Sequence, residues 1–141
     1  MQQKEIKFIP KNEINSILPL LMKLNKKTPK EVLKKRLVEM CDQNYKCVGF
    51  FIDGQLIGIA GLWFLTRHYC GRTIEPDHVI IDSSFRNMGL GKELFDWIHN
   101  YALENGCEAT ELNTFIHNTK SHRFYEDLNY KKLGYHYLNI F

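Results

Sequence analysis

The residues with the most chemical content lie in one stretch, Ile80-Ile81-Asp82-Ser83-Ser84-Phe85-Arg86-Asn87-Met88-Gly89-Leu90-Gly91-Lys92. An apolar run ends, a short polar turn follows, and a helical pattern opens on a pair of glycines. The first amides of a helix have no intrahelical acceptor and carry partial positive charge. Glycine removes the Cβ that would keep a phosphate away from those amides. Arg86 and Lys92 add cationic side chains to the same short stretch. The chemistry this implies is the grip of a phosphate or diphosphate. The spacing is not G-x-x-x-x-G-K-[ST] and not G-x-G-x-x-G, so neither a nucleotide P-loop nor a dinucleotide fingerprint is present. A glycine-rich turn ahead of an ordinary amphipathic helix is the competing explanation. The buried strand before the loop and the basic residues around it favour the phosphate.

The remaining sequence supplies elements to position that loop. Lys4–Ile9 alternates weakly and reads as a strand. Ile14, Ile17, Leu18, Leu21, Met22 and Leu24 have helical spacing, with a bend or restart expected at Pro19. Thr28-Pro29-Lys30-Glu31 predicts a helix start, Thr28 capping and Pro29 in the first turn, running to about Cys41 with Val32, Leu33, Leu37, Val38 and Met40 as its apolar members. Tyr45–Ile52 and Leu56–Leu65 are strand-like runs joined through Asp53-Gly54, a strong hairpin signal. Thr73–Asp82 is a further strand, and its run Val79-Ile80-Ile81 suits a strand covered on both faces. Gly89–Asn105 predicts a helix with Leu90, Leu94, Phe95, Ile98, Tyr101 and Ala102 on one side and Gly106 as its stop. Glu108–Phe115 reads as a strand, Thr119–Leu128 as a short helix capped by Asn118, and Tyr130–Phe141 as a strand interrupted at Gly134. The order gives an α/β class: a mixed sheet flanked by helices, in one domain over residues 1–141.

Bulk properties bound the function. The chain has 141 residues, is 44% hydrophobic and 25% charged, and carries a net charge of +3. That describes a globular chain whose charge permits an anionic ligand but does not argue for nucleic acid. Cys41, Cys47, Cys70 and Cys107 form no C-x-x-C pair and fit no zinc spacing, so no metal is expected and the thiols read as reduced. The N-terminal residues lack the apolar core of a secretory leader, and the most apolar stretch, residues 48–65, is broken by Asp53, Gly54 and Gln55. A cytoplasmic location without membrane insertion is the expectation.

Two motifs together carry a resemblance. Arg86-Asn87-Met88-Gly89-Leu90-Gly91 resembles the R/Q-x-x-G-x-G/A pyrophosphate loop of the GCN5-related N-acetyltransferase (GNAT) superfamily. Asn118-Thr-Lys-Ser121-His122-Arg-Phe124-Tyr125-Glu126-Asp127-Leu128-Asn129-Tyr130 is similar to that family's N-x-x-A-x-x-F-Y-E-x-x-G-F segment. Ser121 stands for the usual alanine, and Asn129 for the usual glycine at a helix end, where asparagine is the next-best left-handed residue. The resemblance extends from Tyr45 to the C-terminus.

It implies a mostly antiparallel twisted sheet with two splayed parallel central strands, here Thr73–Asp82 and Glu108–Phe115, with acyl-CoA in the gap. Backbone groups of Val79, Ile80 and Ile81 would pair with the pantetheine arm. Arg86 and the amides of Asn87, Met88, Gly89, Leu90, Gly91 and Lys92 would hold the pyrophosphate. Asn118 would contact the pantetheine arm or simply cap its helix. Tyr125 matches the tyrosine beside the CoA sulfur, where a neutral phenol can donate a proton as thiolate charge builds. An alkylamine nucleophile must lose a proton, and Glu75 or Asp77 is the suggested base, unranked. On a regular strand both share a face with Val79 and Ile81, and His78 points to the other. The implied reaction moves an acetyl group from acetyl-CoA to a primary amine of a small molecule or protein. A non-catalytic acyl-CoA sensor is the alternative, and a homodimer is the family habit. Arg67, His68, Tyr69 and Arg72, in an expected loop at residues 66–72, either hold an acidic acceptor or are solvated. The lysine-rich run at residues 23–36 reads as a solvated surface.

Overall fold

A computed structural model describes residues 2–141 of the chain. Five strands form one sheet in the order β1-β2-β3-β4-β5: β1 (Lys4–Ile9), β2 (Tyr45–Ile52), β3 (Gln55–Arg67), β4 (Gly71–Ile81) and β5 (Ala109–Thr110). The first four are antiparallel neighbours, and β5 runs parallel to β4. The fold class is therefore the expected mixed α/β sheet with flanking helices. Asp53 and Gly54 both have positive φ, 49° and 81°, the geometry a two-residue hairpin requires to match strand twist.

The alternation of apolar residues divides the sheet into two faces. On one, a 3-10 helix (Lys11–Ile17), α1 (Leu18–Leu24) and α2 (Lys30–Cys41) pack against Ile9, Tyr45, Cys47, Ile59 and Ile80. The change from 3-10 to α geometry falls at Ile17/Leu18, and Pro19 sits in the first turn of α1 where its missing N–H costs nothing. On the other face α3 (Leu90–Glu104) lays Leu90, Leu94, Ile98 and Ala102 against Val48, Phe50, Ile57, Leu62 and Ile74. Leu94, Phe95 and Ile98 are fully buried and Leu90 nearly so. At about 1.5–3 kcal/mol per large apolar side chain, these four contribute roughly 6–12 kcal/mol of gross hydrophobic stabilisation. That anchoring fixes where the first turn of α3 sits. α4 (Thr119–Asp127) meets α3 through Phe95, whose ring lies 5.7 Å from Phe124, 5.5 Å from Tyr125 and 6.2 Å from Tyr130.

Four local expectations are corrected. Thr28 does not cap α2; Pro29 precedes the helix, and the Thr28 amide instead donates to Asn25 Oδ1 at 3.2 Å. Val38 is 58% exposed and Val32 36%, because the inward face of α2 is made by Leu33 and Leu37, with Met40 partly buried beside them. The strand expected at Glu108–Phe115 is regular only at Ala109–Thr110. Residues 130–141 form no strand at all, and residues 131–141 are exposed throughout. Both losses have one cause. A strand exists only where a neighbour takes its amides and carbonyls, and these segments lack that neighbour.

β4 also departs from regularity. Gly61 pairs with Asp77 and Ile59 with Ile80, so three steps on β4 oppose two on β3, a β-bulge. His78 carries a φ of 35° at this bulge. Its ring fills the slot above Gly61, where a Cβ would collide with the imidazole, and its Nε2 lies 2.7 Å from the Tyr45 hydroxyl. Gly61→Ala is expected to destabilise the protein by about 1–3 kcal/mol through this overlap. In urea unfolding, the double variant Gly61→Ala/His78→Ala should lose less stability than the sum of the two single changes.

Candidate active site

β4 and β5 part almost as soon as they meet. Their register is Thr73↔Ala109 and Ile74↔Thr110, flanked by Glu108 N–H donating to Arg72 O at 2.8 Å and Glu111 N–H to Ile74 O at 3.0 Å. Beyond Glu111 no backbone hydrogen bond joins the two strands among the described residues. The facing edge of β4 from Glu75 to Ile81 is left open, while its other edge remains zipped to β3 as far as Gly58↔Ile81. Tyr130 pins the closed end, its hydroxyl lying 2.7 Å from Thr110 Oγ1 and 2.9 Å from His99 Nε2.

The bulge changes which side chains share a face. Val79 and Ile81 pack on the α3 side, and Ile80 joins the core under α1 and α2. Asp77 lies on the α1/α2 side, accepting from Trp63 Nε1 at 3.1 Å and from the His78 amide at 2.9 Å. His78 is on that side too, against Tyr45. The expectation that Asp77 shares a face with Val79 and Ile81, with His78 opposite, therefore fails, because one extra residue inverts the alternation. Burial holds the His78 imidazole below its ordinary pKa despite the opposing pull of Asp77. Its Nδ1 is buried without a hydrogen-bond partner among the described residues.

Glu75 sits where the gap begins, next to the last bonded position of the two strands. Asn113 Nδ2 donates to it at 3.3 Å, and Arg67 Nη2 lies 3.6 Å from its Oε1. Arg67 Nε also donates to both oxygens of Glu111 at 2.7 Å. The guanidinium thus links the end of β3 to both sides of the opening. Burial raises the pKa of Glu75, with further upward pushes from Glu111 and Asp77 that outweigh Arg67 and Asn113. The expected loop at residues 66–72 shrinks to a tight turn, because β3 runs to Arg67 and β4 begins at Gly71. Arg72 Nη1 donates to Asn105 O at 3.0 Å, so Arg67 and Arg72 both have partners within the chain. Glu111 and Asn113 were not singled out from the sequence; nothing in their spacing marks them, since only the fold brings them opposite Glu75.

At the far end of β4, Asp82 turns the chain by accepting from the Ser84 amide at 3.0 Å, a bond that holds its carboxyl below the usual range. Asn87 and Gly89 both take left-handed φ, 63° and 74°, and Gly89 is the N-cap of α3 without any side-chain cap. The first intrahelical bond recorded at this end is Glu93 N–H to Gly89 O, 3.2 Å. Among the described residues no protein atom accepts from the amides of Asn87 to Lys92. A Cβ on Gly89 would meet open space, and one on Gly91 would touch the Phe124 ring at 3.4 Å. Arg86 is exposed, and Lys92 reaches Asp96 at 2.9 Å.

Phe124 packs on Gly91 and Phe95, which leaves the neighbouring Tyr125 half-buried with its ring against Phe95 and Tyr130. Desolvation raises its pKa, so the phenol stays protonated at neutral pH, and no protein partner holds its hydroxyl among the described residues. Asn118 caps α4, accepting from the Ser121 amide at 3.3 Å. Asn129 has the left-handed φ, 71°, expected where it ends that helix.

The family model of the Acetyltransferase (GNAT) family matches residues 16–130. The chain belongs to this family. An N-acetylaspartate synthetase of Danio rerio is 28% identical over 83 residues, which are 59% of this chain and 28% of that protein. An aminoalkylphosphonate N-acetyltransferase of Salmonella typhimurium is 28% identical over 81 residues, 57% of this chain and 53% of that protein. The chain thus spans about half or less of the length of these GNAT relatives. The crystal structure of an aminoglycoside N-acetyltransferase in complex with CoA superposes with a TM-score of 0.84 at 17% identity, over 99% of this chain and 95% of that one. The fold is therefore the GNAT fold.

The carboxyl of Glu75 should titrate above the ordinary ~4.3 of a glutamate. Glu111→Gln should lower its midpoint, because it removes a repelling charge and frees Arg67 to turn toward Glu75. Carbon-detected NMR titration of the labelled side chain measures both.

Proposed function

We propose that the chain is an acyl-CoA-dependent N-acetyltransferase that moves an acetyl group from acetyl-CoA to a primary amine. The observation that carries this reading is the pairing of an open β4 edge with an unplugged row of amides at the start of α3. An extended pantetheine arm would add to β4 as a short strand along Val79, Ile80 and Ile81, taking the backbone groups that β5 leaves free. The diphosphate would then meet Arg86 and the amides of Asn87, Met88, Gly89, Leu90, Gly91 and Lys92. Asn118 would steady the start of α4 beside the arm. Family membership and the CoA-bound GNAT neighbour support the same cofactor.

In this reading the amine nitrogen attacks the thioester carbonyl, the C–N bond forms, and the C–S bond breaks. Tyr125 donates a hydrogen bond and then a proton to the departing sulfur, as a phenol kept neutral by desolvation can. The ammonium proton of the acceptor must be removed first. Glu75 is the better-placed base than Asp77: burial and carboxylate neighbours raise its pKa, whereas both oxygens of Asp77 already accept hydrogen bonds from Trp63 and the His78 amide. A reducing compartment such as the cytoplasm fits the four free thiols. The acting unit is taken as a homodimer, supported by the apolar C-terminal residues that a single chain leaves in solvent.

Incubation with acetyl-CoA and a panel of primary amines, with free thiol as the readout, tests the reading. Tyr125→Phe should lower kcat by about 10–100-fold with acetyl-CoA affinity little changed. Binding without turnover, indifferent to Tyr125→Phe, would instead support a sensor. Gly89→Asp should weaken acetyl-CoA binding at least about tenfold in calorimetry, since it sets a negative charge and a strained left-handed backbone where the diphosphate would lie. Equal affinity in the two proteins would contradict the loop assignment.

A further inference from the structure

An acceptor amine has one face of the sheet from which to reach the gap. On the other face α3 and α4 fill the approach: Val79 and Ile81 pack toward α3, and the Tyr125 ring lies against Phe95. The open face is the α1/α2 side, and strand register fixes what it carries beside the parting of β4 and β5. Residues paired directly across a sheet share a face, so Trp63 stands with Glu75, and Asp77, two positions on, stands with both. Trp63 packs on the core under α1 and α2, in keeping with that side. Its indole is backed by the Tyr45 ring at 5.0 Å and is still partly exposed, while Asp77 is exposed. From β5, Glu111 reaches this place through Arg67, and Asn113 through Glu75.

The charges on this face do not balance. Glu75, Asp77 and Glu111 bring three carboxylates, and Arg67 is the one cation that pairs with any of them among the described residues. Lys46 turns to the α3 face, 5.2 Å above the Phe8 ring and 5.9 Å above that of Phe64. Arg72 is bonded to Asn105 O, and burial keeps the His78 imidazole neutral near pH 7. The arginines that could have held an acidic acceptor are thus committed within the chain, and an anion brought here would meet carboxylates. A single ammonium does not restore the balance either, because its proton is the one that the reaction removes. Asp77 and the open side of the Trp63 ring are then unanswered. Each oxygen of Asp77 accepts one hydrogen bond and keeps a lone pair free. An ammonium over an indole, beside a carboxylate, is attracted by both.

We propose that the acceptor is a diamine, held by its second ammonium on the Trp63 indole beside Asp77 while its first nitrogen is acetylated next to Glu75. The strand sets the distance between the two nitrogens. Glu75 and Asp77 are two residues apart in regular register, so their stems stand roughly 6.6 Å apart. Two nitrogens joined by about four methylenes span that length. A monoamine would leave Asp77 to water, and an amino acid of the same length would set its carboxylate against that of Asp77. Selection for a second positive charge is therefore made by attraction at one place and by repulsion of the acidic analogue at the same place. The inference rests on the proposed acetyl transfer for which nitrogen reacts; the charge that the face selects does not depend on it.

The test compares diaminobutane, butylamine, aminobutanol and aminobutyrate, each with an amine at one end of the same carbon chain. The full chain is given each of them with acetyl-CoA, and released thiol is read. Calorimetry of the same amines against the protein, with and without CoA, reads the preference where no turnover is needed. The kcat/KM for diaminobutane should exceed that for butylamine by at least about tenfold, mainly through KM, with aminobutyrate the poorest. Trp63→Leu and Asp77→Asn should each cut the ratio of diaminobutane to butylamine to about twofold or less, circular dichroism establishing that both are folded. Butylamine, aminobutanol or aminobutyrate equal to or better than the diamine, in turnover or in binding, overturns the proposal on the unaltered protein alone. A ratio unchanged in both variants overturns the place assigned to the second ammonium. Preferred binding of the diamine with no thiol released from any amine would count against acetyl transfer and leave the charge selection standing. Neither binding nor turnover with any of the amines would overturn both.

Discussion

Everything in this site follows from a parallel strand pair that stops pairing. β4 is bonded along one edge to β3 and along the other to β5 for only two register positions before the strands diverge. Backbone N–H and C=O groups near a protein interior need partners, and an opened ladder presents a row of them in fixed alternation. Such a row selects for an extended ligand with its own amides. The pinning of the closed end by Tyr130 to Thr110 and His99, and the Arg67 bridge to Glu111 and Glu75 where the strands part, hold the opening at a defined place.

The second half of the site is set by α3. Its apolar stripe is locked into the core, so its N-terminal turn is presented to solvent in a rigid position rather than as a mobile loop. Left-handed residues at Asn87 and Gly89 turn the chain into the helix without a capping side chain, which leaves the first amides without a protein acceptor. Glycine at 91 lets the Phe124 ring close over the start of the helix, and that contact places Tyr125 next to Phe95. A close approach at one glycine therefore links the start of α3, where the diphosphate is proposed to lie, to the tyrosine proposed to meet the sulfur.

Electrostatics separates two carboxylates that look equivalent on the strand. Glu75 is partly desolvated and faces Glu111 and Asp77, which raises its pKa. Asp77 is tied into the bulge by Trp63 and the His78 amide. The bulge itself is an arrangement of complementary parts: His78 in a strained backbone conformation, Gly61 giving it room, and Tyr45 bonding its ring. Backbone strain of this kind persists only where surrounding packing fixes it.

The sequence by itself determined the elements governed by local rules. The Asp53-Gly54 hairpin, the helix restart at Leu18-Pro19, the apolar face of α3, the glycine start of that helix and the left-handed end at Asn129 all follow from what neighbouring residues can do sterically. The phosphate-loop and Phe124-Tyr125 motifs were legible for the same reason, since each is a contiguous run on one element. What only the tertiary structure decided depends on partners distant in the chain. The single extra residue at His78 inverted the faces of Asp77, Val79 and Ile81, and no periodicity reveals a bulge in advance. Glu111 and Asn113 gained meaning only opposite Glu75. Residues 108–115 and 130–141 have strand-like composition but little or no strand, because a strand is a property of two segments and a sequence states the pattern of one.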